Sequence, residues 1–198
     1  MNKILTNSQI KIIEGILSNP GINLRSLIEK TKLSPNYVSS YVKGLVKRVI
    51  VKEEILEKKR VYLRRFFINR KSRLAKSMVM LVKEEKKELF YDQHPKLRPI
   101  FEQLSELKGI EFILVYGSYA RFAAEKESDI DVLIVGKIEN KTRIREILVS
   151  LDMEPSIKVE SLKDFNVKRK DPIHQQMLKE HILITDSGKF IDLVIKKE

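Results

Sequence analysis

The chain has 198 residues, with 39 Lys and Arg against 27 Asp and Glu, a formal net charge of +12 at pH 7, and no cysteine. Absence of cysteine excludes disulfides and thiol chemistry and points to a cytoplasmic protein. No apolar run is long enough to cross a bilayer and no signal peptide is evident, so no membrane partner is expected. The charge is uneven: residues 1–68 carry 14 Lys and Arg against 5 Asp and Glu, a net +9, whereas residues 109–198 carry 15 against 16, a net −1. A positive field concentrated at one end favours a polyanion, nucleic acid first.

In chain order, Ser8 to Ser18 has apolar residues at 10, 12, 13, 16 and 17, the spacing of an amphipathic helix, and Asn19-Pro20-Gly21 ends it. Leu24, Leu27 and Ile28 mark a second helix, and Lys32-Leu33-Ser34 a turn. Ser34-Pro35 then starts a third helix with an N-cap and a proline at its first position. That helix is expected to bury Val38, Val42, Leu45 and Val46 and to turn Asn36, Tyr37, Ser39, Ser40, Lys43 and Lys47 outward. Two β-rich segments follow, Val49 to Leu56 and Arg60 to Phe67, joined by Glu57-Lys58-Lys59. This order resembles a winged helix-turn-helix domain. The resemblance implies a third helix in the major groove of double-stranded DNA and a wing, with Lys58, Lys59 and Arg60, on the phosphate backbone.

Arg70 to Tyr91 reads as a charged helix with Leu74, Met78, Leu81, Val82 and Leu89 on one face. Two uses fit it: a dimerisation helix, giving a homodimer matched to DNA half-sites, or a strut on the domain that follows. His94-Pro95 punctuates the chain, and Lys96 to Leu107 reads as the next helix. The expected division is therefore 1–68, a linker helix over 69–94, and a second domain over 95–198.

The second domain carries the densest signal. The apolar run Phe112 to Tyr116 leads into Gly117-Ser118. Ten residues later comes Asp129-Ile130-Asp131, and then Val132-Leu133-Ile134-Val135. This reads as strand, tight turn, short helix and strand, with both polar elements at strand ends. Two residues apart on a strand, the Asp129 and Asp131 carboxylates share a face and repel unless a cation lies between them. Oxygen ligands of this kind suit Mg²⁺. Gly117 permits a sharp turn close to a ligand, and Ser118 adds a hydroxyl and helix-start amides for phosphate.

Gly-Ser, ten residues and Asp-x-Asp resembles the signature of the DNA polymerase beta-type nucleotidyltransferase superfamily, in particular its minimal nucleotidyltransferase branch. Phe122 departs from the pattern, since many relatives have a glycine after the residue matching Arg121. The resemblance implies an α+β fold overall: an N-terminal winged helix-turn-helix, a helical linker, and a nucleotidyltransferase-like mixed sheet with flanking helices. It implies transfer of a nucleoside monophosphate from ATP or another NTP to an acceptor hydroxyl. Mg²⁺ or Mn²⁺ would be held by Asp129 and Asp131, and the triphosphate by Gly117, Ser118 and Arg121. The family's small members include antitoxins that modify a partner toxin, so a protein acceptor is one expectation. A DNA-binding regulator whose second domain only binds nucleotide or a partner is the alternative.

A third carboxylate is expected to activate the acceptor. After a helix over Thr142 to Leu151, the strand Ser156 to Ser161 turns Lys158 and Glu160 to one face, making Glu160 the candidate. Asp192, interrupting the apolar run Phe190 to Val194, read as another strand, is the competitor. Asp171-Pro172 opens a helix with Ile173, Met177 and Leu178 as its apolar stripe. His174 and His181 read as surface or nucleotide-edge residues, without a third ligand for zinc.

Overall fold

A computed structural model describes residues 4–58, 61–125, 128–139, 141–149, 155–186 and 188–195. By its contacts the chain divides into two compact units, Met1–Glu85 with Leu193–Glu198, and Lys86–Asp192.

In the first unit, helix α1 (Asn7–Ser18) starts with a reciprocal cap. Thr6 Oγ1 accepts from the Gln9 amide at 3.3 Å, and Gln9 Oε1 accepts from the Thr6 amide at 2.9 Å. Its buried stripe is Ile10, Ile12, Ile13, Ile16 and Leu17. A two-residue strand, β1 (Ile22–Asn23), precedes α2 (Leu24–Thr31), which Asn23 caps by accepting from the Ser26 amide at 2.9 Å. Helix α3 (Pro35–Lys47) begins with its proline but without a side-chain hydrogen bond from Ser34. It buries Val38, Val42 and Leu45, while Val46 is half-buried. Strands β2 (Val51–Lys58) and β3 (Val61–Ile68) form a long antiparallel hairpin. β1 lies along the other edge of β3, with Ile22 opposite Phe66. Three helices with a hairpin and the short strand beside it make a winged helix.

Helix α4 (Arg73–Gln93) begins in the first unit and ends in the second. Within the first unit it buries Ala75, Val79, Val82 and the stem of Lys83, whose Nζ lies 2.9 Å from Glu14 Oε1. Leu74, expected on the apolar face, is 49% exposed. The buried stripe is turned from the expected one, with Val82 common to both and the paired Lys83 within it.

In the second unit, α5 (Leu97–Ser105) leads to β4 (Ile110–Tyr116), α6 (Gly117–Ala120) and β5 (Ile130–Gly136). There follow α7 (Lys141–Leu148), β6 (Pro155–Glu160), α8 (Leu162–Lys168), α9 (Pro172–Lys179), β7 (Ile182–Asp186) and α10 (Lys189–Ile195). Among the described residues the sheet order is β6–β5–β4–β7, with β5 and β6 parallel and the other pairs antiparallel. Strand residues Ile113, Val115, Ile130, Val132 and Ile134 form one core with Phe101 and Leu104 of α5 and Ile144 and Ile147 of α7. Elsewhere Phe112 packs on Phe165 of α8 and Phe190 of α10, both at 5.1 Å between ring centroids.

Four expectations need correction here. The run Phe190 to Val194 is helix α10, not a strand, so Asp192 sits on a helix. His174 and His181 are buried rather than on the surface, with His174 against the Phe165 ring and the His181 carbonyl accepting from Lys86 Nζ at 2.9 Å. Ile173 faces outward at 58% exposure, and His174 takes its place in the buried stripe of α9. Of the helix expected over 142–151, the described part is α7 with Val149 after it, and residues 150 and 151 lie outside the described residues.

Candidate functional site

β4 and β5 run antiparallel with Tyr116 opposite Asp131, so the chain leaves β4 beside the start of β5. The reversal needs Gly117 for two reasons. Its φ is +72°, in the left-handed region, and a Cβ built on it would collide with the Asp131 carboxylate. The aspartate is thus folded against bare backbone at the mouth of the turn. The turn closes with the Ala123 amide donating to the Ser118 carbonyl at 3.0 Å. Phe122, the departure from the family pattern, has φ +56°. The turn keeps the left-handed geometry that glycine adopts freely and imposes it on an aromatic residue.

Asp131 is half-buried on β5, whereas Asp129 is exposed and precedes the strand. Asp131 lines a pocket of about 200 Å³ with Tyr116, Gly117 and Arg121 on one side. Ile173, Gln176, Met177 and Glu180, from α9 and its end, form the other. Arg121 Nη1 lies 3.9 Å from Glu180 Oε2, and both side chains are substantially exposed. Burial, then the Asp131 charge, pushes the Tyr116 hydroxyl up to about 12. Its hydrogen bond with Ser156 opposes the rise and Glu160 adds to it. At neutral pH Tyr116 is therefore an uncharged phenol in the pocket wall.

Glu160 does not line this pocket. In the parallel ladder Asp131 faces Ser156, and Glu160 faces Val135 four residues on, about 13 Å along the strand. Its two oxygens are taken: Lys168 Nζ donates to one at 3.0 Å, and His174 Nε2 lies 3.0 Å from the other. Burial raises its pKa, but these two partners outweigh that and leave the group below the ordinary carboxylate range. Lys158, on the same face and opposite Leu133, is exposed. Glu180, Gln176 and Tyr116 were not among the expected site residues. Only the neighbourhood of Tyr116 to the Gly-Ser pair could have drawn attention to it.

Asp129 and Asp131 carry carboxylate oxygens, the donor type that suits Mg²⁺, an ion that completes its octahedron with water and substrate phosphates. Asp129 is not in the lining of the pocket that Asp131 enters, and among the described residues no group of three or more His, Asp or Glu that could hold a metal occurs.

On α3, Asn36, Tyr37, Ser40, Lys43 and Lys47 are exposed as expected, and Ser39 is half-buried. Lys59 and Arg60 lie outside the described residues, and Lys58 ends β2 opposite Val61. The wing also exposes Ile55, Leu56, Tyr62 and Leu63, apolar surface that phosphate contact does not require.

Residues 96–189 match the family described as polymerase beta, nucleotidyltransferase, and residues 5–48 match winged helix-turn-helix DNA-binding. None of the curated proteins compared with the chain matches it. Two solved structures are similar over 51% of this chain and 79% of theirs. One is a toxin–antitoxin with AMP-PNP, 13% identical with a TM-score of 0.34; the other is a mutant of the toxin–antitoxin MntA–HpeT, 11% identical with a TM-score of 0.35. The chain thus joins an N-terminal winged helix-turn-helix domain to a domain of the polymerase beta-type nucleotidyltransferase family.

Proposed function

We propose that the protein is a DNA-binding nucleotidyltransferase that moves a nucleoside monophosphate from an NTP, such as ATP, to an acceptor hydroxyl. The observation that carries this reading is Asp131 folded against Gly117 in a pocket that also holds Arg121. In the reaction the acceptor oxygen bonds to the α-phosphorus, the bond from that phosphorus to the bridging oxygen breaks, pyrophosphate leaves, and the acceptor gives up its proton. Asp129 and Asp131 would hold Mg²⁺ or Mn²⁺, which when bound neutralises phosphate charge. Gly117 and Ser118 offer the turn to the triphosphate, and Arg121 supplies a cation for it. Glu160 keeps a supporting part in this scheme: through His174 it ties β6 to α9, which forms the far wall of the pocket. Asn36, Tyr37, Ser40, Lys43 and Lys47 offer hydrogen bonds and charge to double-stranded DNA. An antitoxin acting on a partner protein is one setting that unites the two domains.

One observation favours a second reading, a DNA-binding regulator that only binds nucleotide. The carboxylate of β6 is engaged by Lys168 and His174, and the pocket's other acid, Glu180, faces Arg121. Incubation with each labelled NTP, Mg²⁺ and cell lysate separates the two. Transfer of label by the wild type, lost in Asp129→Ala/Asp131→Ala, is expected for the enzyme. Nucleotide binding without transfer selects the regulator.

A further inference from the structure

The DNA-binding unit contains a second pocket, of about 360 Å³, unconnected with the chemistry above. It lies between α1, α3 and the first part of α4, and its lining includes Gln9, Tyr37, Tyr41, Gly44, Arg48 and Met78. Tyr37 and Tyr41, one helical turn apart, hold their rings parallel within 1° at 6.2 Å between centroids. Arg48 at the end of α3 brings a cation, Gln9 an amide and Met78 an apolar contact. A few polar groups converging in a mainly apolar and aromatic concavity of this size is the usual composition of a small-molecule site.

Gly44 points the same way. A glycine inside a helix weakens it, and neither backbone geometry nor close packing calls for one here: φ is not positive, and a Cβ at this position would meet nothing within 4 Å. The missing side chain leaves open space inside the pocket.

We propose that this pocket binds a small flat aromatic anion. The ring lies on the tyrosine faces, the anionic group meets Arg48, and Gln9 hydrogen-bonds the ring's polar edge. Both an aromatic carboxylate and a nucleoside monophosphate have this chemistry. Tyr37 also belongs to the α3 face offered to DNA, so ligand and DNA compete for it, and occupancy lowers DNA affinity.

The test is calorimetric titration of the full chain with salicylate and, separately, with AMP at up to millimolar concentration. It compares wild type with Gly44→Leu, Arg48→Gln and Asp131→Ala. Gly44→Leu fills the open space without straining the helix, so its thermal midpoint should not fall, and that is the control for folding. The expected result is binding of one probe, weakened about tenfold or more by Gly44→Leu and by Arg48→Gln and unchanged by Asp131→Ala. The probe that binds identifies the source. Failure of both probes to bind wild type overturns the proposal. So does binding that survives Gly44→Leu, or that Asp131→Ala abolishes, which assigns it to the nucleotidyltransferase pocket. With a random-sequence duplex at low salt, the saturating probe should weaken DNA binding severalfold, and unchanged affinity overturns the competition.

Discussion

His174 Nε2 stands 3.0 Å from Glu160 Oε2, a nearly buried pair that joins helix α9 to strand β6. Lys168 holds the other oxygen of the same carboxylate. Because the partners keep the folded pKa of Glu160 below its ordinary value, the stability this adds is complete above the unfolded pKa. It is lost as pH falls through the folded one. Glu160→Gln should cost about 1–3 kcal/mol at neutral pH and flatten the acid limb of the stability profile. Urea denaturation of both proteins across the acid range measures it. An unchanged acid limb would show that the pair adds nothing.

Gly117→Ala places a methyl group where the Asp131 carboxylate lies and forces an L-residue into the left-handed region. The backbone part alone should cost about 1–2 kcal/mol. Displacement of Asp131 should also abolish nucleotide binding. Thermal denaturation and nucleotide titration of the same variant report the two effects separately.

Val49 is a β-branched residue at φ +59°, 57% exposed, just past the end of α3. The Val49 amide donates to the Val46 carbonyl and the Ile50 amide to the Leu45 carbonyl, a complete helix-ending motif whose left-handed position glycine usually occupies. Val49→Gly should therefore stabilise the domain by about 1 kcal/mol, read as a higher urea midpoint at unchanged slope.

Lys43 and Lys47 are exposed one turn apart on α3. If each contacts a phosphate, Lys43→Ala and Lys47→Ala should each reduce the slope of log affinity against log salt by about 1. Both should weaken binding to all duplex sequences alike. Fluorescence anisotropy at several salt concentrations gives the slope, and an unaltered slope removes that lysine from the interface.

Much of the fold was legible because local signals agreed with it: the periodicity of α1, Ser34-Pro35 at the start of α3, and the apolar strands around Gly117 and Asp131. The misses have physical causes. β1 is two residues long, too short to show alternation. The apolar residues of α10 are consecutive, and a short apolar run suits a strand or a buried helix equally. His174 and His181 were expected at the surface because they are polar by type, yet both are buried, as are Lys83 and Lys86, which apolar periodicity does not pick out. Alternation gave Glu160 its face correctly, since Ser156 opposite Asp131 has the same parity. How far along the strand it would lie depends on register between β5 and β6, which no local pattern encodes. The same limit hid Glu180 and Gln176, brought to Asp131 by tertiary packing alone.

The placing of β7 has a consequence for synthesis. β4 and β5 are close in the chain and can pair as soon as they leave the ribosome, but among the described residues the strand that covers the other edge of β4 is Ile182–Asp186. Until then a nascent chain carries an apolar strand with open backbone groups, able to pair with a neighbouring polypeptide. Chains stopped before Ile182 should accumulate as aggregates, and the helix walling the pocket, α9, is made just ahead of the strand that closes the sheet.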